Sequence, residues 1–183
     1  MGAGGHAWNV KRLRPVELGP FDYENEVYTR SLWVAEGFSD YYAWLLVGRA
    51  GLASREETLA DISRAIGSLQ TTSGRLVQSL QDASYDAWIK AYRPDENSRN
   101  TTVSYYTKGS IVGLLLDARI RKLTNGTRSL DDVMGVVEAV HRAGYFDQAH
   151  LTRSLGRLIG ETPGRIRRGD QQLSFLYKTA LPD

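Results

Sequence analysis

Residues 26–50 read Glu26-Val27-Tyr28-Thr29-Arg30-Ser31-Leu32-Trp33-Val34-Ala35-Glu36-Gly37-Phe38-Ser39-Asp40-Tyr41-Tyr42-Ala43-Trp44-Leu45-Leu46-Val47-Gly48-Arg49-Ala50. Val27, Leu32, Trp33, Phe38, Tyr41, Tyr42, Leu45 and Leu46 recur at three- and four-residue steps, which places them on one face of a helix. One long amphipathic helix over Glu26 to Ala50, stopped by Gly51, is therefore expected. Beyond it, Ser54 precedes a helical run and Glu57 follows three residues later, a pairing that can satisfy orphan N–H groups at a helix start; the run extends to about Leu69. The stretch Gln70 to Leu80 is rich in Thr, Ser and Gly and is expected to cross the surface as a loop.

A short helix near Ala83 to Tyr92 should close at Arg93-Pro94, because proline disfavours a helical conformation in the residue before it. Asp95 to Thr102 is polar and turn-prone. Ile111, Leu114, Leu115 and Ala118 mark the buried stripe expected for a second long helix, about Val103 to Leu123, which Asn125-Gly126 ends. Ser129 is expected to cap the next helix, and Gly144, Gly160 and Pro163 divide the remainder into short helices. No convincing alternating strand pattern and no internal repeat occur, so the chain is expected to be nearly all-α.

The 183 residues contain 42% hydrophobic residues, enough to bury one sizeable core. No stretch approaches the roughly 18–20 apolar residues that span a bilayer, and Met1 to His6 has neither a basic start nor an apolar core, so no membrane partner is expected and the chain as it stands is assigned to the cytoplasm. With no cysteine, disulfides and thiolate metal ligation are excluded; a zinc site must use His, Asp or Glu. Residues 1–140 carry 16 basic and 17 acidic groups, whereas 141–183 carry 7 and 4. That basic excess at the tail is too small for strong phosphate attraction.

The blocks His6-Ala7-Trp8-Asn9-Val10-Lys11-Arg12-Leu13-Arg14-Pro15, Glu17-Leu18-Gly19-Pro20-Phe21-Asp22-Tyr23 and Leu32-Trp33-Val34-Ala35-Glu36-Gly37 follow one another in order. Asp86-Ala87-Trp88-Ile89, Tyr92-Arg93-Pro94-Asp95-Glu96-Asn97 and Val103-Ser104-Tyr105-Tyr106-Thr107-Lys108-Gly109 continue the series. Over residues 6 to about 133 the chain resembles the glycyl aminopeptidase family of gluzincin zinc metallopeptidases, in which an HExxH helix runs into WNVKRLRP and a later WxxEG supplies the third ligand. The resemblance makes His6 the second histidine and Glu36 the third ligand. It also makes Tyr106, in a YxKG element, the hydroxyl that donates to the tetrahedral oxyanion. Histidines at i and i+4 share a helix face, so both can reach one zinc at about 2.0–2.1 Å, and the glutamate between them takes a proton from the metal-bound water. Gly37, beside Glu36, is expected to let two helices approach closely. Taken singly, His6 and Glu36 read as ordinary surface residues and Tyr106 as a packed helix-start residue; the surrounding blocks are what single them out. Trp8, Trp33, Trp88 and Tyr92 read as core or groove aromatics.

The sequence departs from this family at the metal. The position four before His6 is Gly2 and the general-base position is Ala3; neither can ligate zinc through a side chain or accept a proton. Gly2, Gly4 and Gly5 also disfavour a helix, by about 0.8–1.0 kcal/mol each relative to alanine. The reading is a gluzincin-like catalytic-domain fragment over residues 1–135, cut inside HExxH, without peptidase activity or tight zinc binding. Intact relatives would act on peptides with small N-terminal residues. Self-association is expected through the face that a missing segment leaves uncovered.

The tail Ala143-Gly144-Tyr145-Phe146-Asp147-Gln148-Ala149-His150-Leu151-Thr152-Arg153-Ser154-Leu155, followed by Arg157, Gly160, Thr162 and Pro163, is similar to the second helix-turn-helix of AraC-type transcription regulators. The resemblance implies a separate unit over 136–183, with Gln148, His150 and Arg153 facing a major groove and Leu151, Leu155 and Leu158 packed inward. DNA binding by one such unit is expected to be weak at best. The rival to the peptidase-fragment reading is therefore a DNA-binding or structural remnant protein.

Overall fold

The computed structural model describes residues 14–135. Among them every regular element is helical and no strand occurs, so the fold is all-α as expected. None of these helices is long and apolar enough to cross a membrane. A π-helical turn, Trp33–Gly37, runs directly into α1, Phe38–Arg49. Helix α2 is Arg55–Thr71 and α3 is Leu80–Tyr85, followed by a second π turn, Ala87–Ala91. A single turn, α4, spans Ser98–Thr101, and the long α5 spans Tyr105–Leu123. The chain divides into two compact units, Met1–Leu116 and Asp117–Asp183. The expected boundary at 135/136 adjoins residues that are not described.

Several helix ends follow from local chemistry. Gly51 adopts φ +67°, the left-handed conformation that ends α1, and Leu52 N–H returns to the Val47 carbonyl at 3.1 Å. Ser54 Oγ accepts from Glu57 N–H at 3.1 Å while Glu57 Oε2 accepts from Ser54 N–H at 2.8 Å, completing the expected capping box of α2. Asn125 and Gly126, at φ +49° and +79°, terminate α5.

The first expected helix begins late. Residues 26–31 are not helical, and α-type structure starts only at Leu32. The reason is long-range attachment. Arg93 pairs with Glu26 at 3.0 Å, Trp88 Nε1 donates to the Val27 carbonyl at 3.2 Å, and Arg30 pairs with Asp82 at 2.9 Å while lying over the Tyr85 ring. Each contact holds residues 26–30 against α3 or the region of the second π turn. The expected helix over Ala83–Tyr92 is likewise two pieces, α3, which starts earlier at Leu80, and the π turn, which lies within the expected span.

The expected surface loop Gln70–Leu80 is partly corrected. Helix α2 continues to Thr71, a 3-10 turn covers Ser73–Leu76, and Gly74 and Gln78 are buried. Gly74 lies directly against the backbone of Thr102, leaving no room for a Cβ. Only Gly74 and Gln78 turn inward, Gly74 because backbone packs on backbone, while Ser73, Leu76 and Val77 stay exposed as a surface stretch should.

One buried cluster of the first unit mixes small and aromatic residues. Ala83, Ala87, Val103 and Tyr105 form its centre, with Leu32, Trp33, Leu69, Leu80 and Tyr106 packed around them. Trp33 meets Phe38 edge-on, ring centroids 5.8 Å apart. Along α5 the expected stripe holds only in part: Ile111 is buried, but Leu115 and Ala118 are exposed. The buried face instead includes Gly109, Ser110, Val112 and Gly113. A Cβ on Gly113 would lie 3.2 Å from Tyr41 Cβ and 3.3 Å from Phe38 Cδ1, so α1 rides close on α5.

In the second unit the buried Asp117 carboxylate accepts from Leu130 N–H at 2.7 Å and from Arg121 Nε at 2.8 Å. The helix that opens at Leu130 is capped as expected, with Ser129 Oγ accepting from Asp131 N–H and Asp132 Oδ2 accepting from Ser129 N–H.

Candidate active site

Glu36 sits in the π turn Trp33–Gly37. Such turns hold an extra residue per turn, which re-aims the side chains they carry and frequently marks functional positions. The turn is fixed at its start by Ser84 Oγ, which accepts from Trp33 N–H at 3.0 Å, and Ser84 in turn donates to the Leu80 carbonyl at 2.8 Å. Glu36 is half-buried, and its Oε2 atom is excluded from solvent.

Gly37 meets Gly109 of α5. A Cβ on Gly37 would lie 2.6 Å from Gly109 Cα, and one on Gly109 would lie 2.7 Å from the Trp33 carbonyl oxygen. Tyr106 is three residues before Gly109, one helical turn away on a neighbouring face, and Glu36 adjoins Gly37. The glycine contact therefore brings the carboxylate and the phenol into electrostatic reach. Burial first, and then the Glu36 charge, raise the Tyr106 phenol above its ordinary value of 10.0. Tyr106 consequently keeps its proton at neutral pH and is available as a donor.

The start of α5 is anchored by the loop before α3. Lys108 Nζ donates to the carbonyls of Arg75 at 3.1 Å and Gln78 at 2.9 Å, and Gln78 Oε1 accepts from Val103 N–H at 3.0 Å. Burial, and then the charge of Arg75, push the Lys108 ammonium below its ordinary value. The lysine of the YxKG element thus acts as a tether for backbone carbonyls.

Two cavities flank a tyrosine pair. One, of about 340 Å³, is lined by Glu36 together with Phe21, Asp22, Trp88, Tyr92 and Tyr105. The other, of about 260 Å³, is lined by Tyr106 together with Lys90, Ser104, Tyr92 and Tyr105. Tyr92 and Tyr105 border both, and their hydroxyls are 3.1 Å apart. Sequence reasoning placed Tyr92 only among the groove aromatics and gave Tyr105 no role; the run Tyr105-Tyr106 beside Lys108-Gly109 was the available signal. Trp33 belongs to the core and Trp88 to a cavity wall, as expected. His6, Trp8, Gln148, His150 and Arg153 lie outside the described residues.

A model of the M61 glycyl aminopeptidase family matches residues 5–112. The chain belongs to the M61 glycyl aminopeptidase family. A solved structure, an aminopeptidase N family protein from Idiomarina loihiensis, superposes with a TM-score of 0.78 at 28% identity over 96% of this chain. This chain spans 29% of the length of that protein. Comparison with curated proteins gave no match.

The metal that M61 membership suggests can be tested against the side chains. Among the described residues no three His, Cys, Asp or Glu side chains converge on a point. Glu36 is the one described member of the ligand set that the family resemblance implies, and counting back from His6 that resemblance would put the first histidine at Gly2 and the general base at Ala3. A tetrahedral zinc site needs three protein ligands and an open position when catalytic. The described residues do not complete one.

Proposed function

We propose that this chain carries part of an M61-type peptidase site, with Glu36 as the metal-binding carboxylate and Tyr106 as the oxyanion donor, and that alone it does not hydrolyse peptides. The observation that supports the reading is the Gly37–Gly109 contact, which brings Glu36 and a half-buried, neutral Tyr106 into electrostatic reach. A neutral phenol next to a ligand carboxylate suits stabilisation of charge that appears only in the transition state; loss of one such donor costs about 2.7–4 kcal/mol of barrier in an active enzyme. The substrate class is a peptide with a free, small N-terminal residue, the class that the family description implies. Hydrolysis is withheld because Gly2 and Ala3 supply neither a second imidazole nor a base.

The purified chain should show no turnover of glycyl or alanyl p-nitroanilide above buffer with zinc present, and titration calorimetry should find no submicromolar zinc site. Turnover by the unaltered chain would overturn the reading of inactivity. The ligand assignment is tested by adding what is missing. Gly2→His with Ala3→Glu should raise zinc affinity, and Glu36→Gln in that background should abolish the gain. A gain that survives Glu36→Gln removes Glu36 from the site.

A further inference from the structure

The two π turns, Trp33–Gly37 and Ala87–Ala91, line one cavity: Glu36 comes from the first and Trp88 from the second, with Tyr92 just after it. Such turns are frequent at functional positions, and these are the only two among the described residues. The polar edge of Trp88 is turned inward, Nε1 donating to the Val27 carbonyl at 3.2 Å, yet the residue is 40% exposed. Its one N–H is therefore already used, and the indole has only its π surface left to offer a ligand. Tyr92 braces it, ring centroids 5.8 Å apart.

The charge of this cavity has one sign. Asp22 and Glu36 line it, and among the described residues that do so there is no Lys, Arg or His. Asp22 is fixed by the N–H groups of Glu24 and Asn25, which donate to its Oδ1 at 2.8 and 3.1 Å. Aromatic faces attract cations, as Arg14 over Phe21 and Arg30 over Tyr85 show elsewhere in the chain. Among the described residues no cation covers Trp88 or Tyr92. Two carboxylates with uncovered rings favour an ammonium group and repel an anion.

We infer that Trp88, braced by Tyr92, is the wall that receives the free amino terminus of a peptide in the Glu36 cavity. The inference rests on the reading of that cavity as part of a peptide site. A charged amino end meets the field of Asp22 and Glu36 and the negative face of the indole, whereas an acylated end meets neither attraction. Trp88 is thereby a specificity-determining residue for uncapped peptides. The volume, about 340 Å³, lies at the small end of ligand pockets and suits a short first residue.

The test is titration of the full chain with glycyl-alaninamide, followed by NMR at the Trp88 indole N–H, which is assigned by its loss in Trp88→Phe. At mildly acidic pH the probe carries its amino charge. A saturable shift is expected, with the uncharged N-acetyl-glycyl-alaninamide binding about tenfold more weakly. Trp88→Leu keeps apolar bulk but removes the π face, and should weaken the cationic probe about fivefold by calorimetry, while Trp88→Phe retains most of the affinity. No shift at Trp88, or equal binding of the acetylated probe, overturns the inference, as does a Trp88→Leu chain that binds like the parent. Should that variant not fold, Tyr92→Leu removes the bracing ring and must weaken the cationic probe in the same sense; unaltered affinity there is equally fatal. The metal-ligand assignment is read separately, by zinc titration of the Gly2→His, Ala3→Glu chain. If Glu36→Gln spares the zinc gain while the peptide still binds at Trp88, that assignment falls and this inference stands.

Discussion

Gly37 and Gly109 touch through their backbones: a side-chain carbon on Gly37 would sit 2.6 Å from Gly109 Cα. Real Cβ atoms do not come so close to backbone, and neither partner has a flexible end that could yield. Gly37→Ala should therefore separate the π turn from α5 and destabilise the fold by about 1–3 kcal/mol, the usual cost of overpacking. Urea unfolding followed by circular dichroism measures it, with Gly67→Ala as control, since a Cβ there meets nothing within 4 Å. Equal stability of the two variants would refute the contact.

The Lys108 tether predicts a second loss. Lys108→Met keeps the aliphatic stem but leaves the Arg75 and Gln78 carbonyls without their donor. A cost of about 1–3 kcal/mol is expected, with amide exchange accelerating first in the segment around Gly74 to Gln78. Unchanged exchange there would show that the tether does not hold the loop.

Alkaline pH should act through the buried tyrosines. Burial leads the causes that raise both phenols, Tyr105 and Tyr106, above 10.0 in the folded chain. Below pH 10 folded and unfolded chains both hold these protons and stability does not depend on them. Above it the unfolded chain loses them first, the folded chain binds more protons, and stability falls by about 1.4 kcal/mol per pH unit for each such group. Lys108 works in the opposite sense: its folded value is depressed, so stability rises with pH between that value and 10.5. Denaturant midpoints from pH 8 to 12 should show the tyrosine decline, shallower by one proton in Tyr105→Phe. Parallel curves for the two proteins would exclude Tyr105 as a contributor.

In the second unit, Asp117 joins α5 to the start of the next helix through Leu130 N–H. Asp117→Ala orphans that buried N–H and releases Arg121, for an expected cost of about 1–3 kcal/mol. Differential scanning calorimetry of the variant should show a lowered Tm. An unaltered Tm would mean the carboxylate is dispensable.

Much of the candidate site could be named from its motifs, and much of its surroundings could not. Glu36 in WxxEG and Tyr106 in YxKG were identified by the company they keep in the chain. Tyr92 and Tyr105 were missed as a pair because a hydroxyl contact across thirteen positions leaves no periodic trace. The stripe assigned to α5 was partly misplaced for a similar reason. Pattern reading weights apolar side chains, and here Gly109 and Gly113 make the closest approach by having none.

By itself the sequence determined the all-α class, the Ser54–Glu57 cap and the stops at Gly51 and Asn125-Gly126, since each depends on hydrogen bonds or backbone angles within a few residues of chain. Only the tertiary structure decided that residues 26–31 leave the helix, that Gly74 is buried, and that Gly37 and Gly109 meet. Those outcomes arise from contacts between distant segments, in which a missing side chain on Gly37 counts for as much as any side chain present.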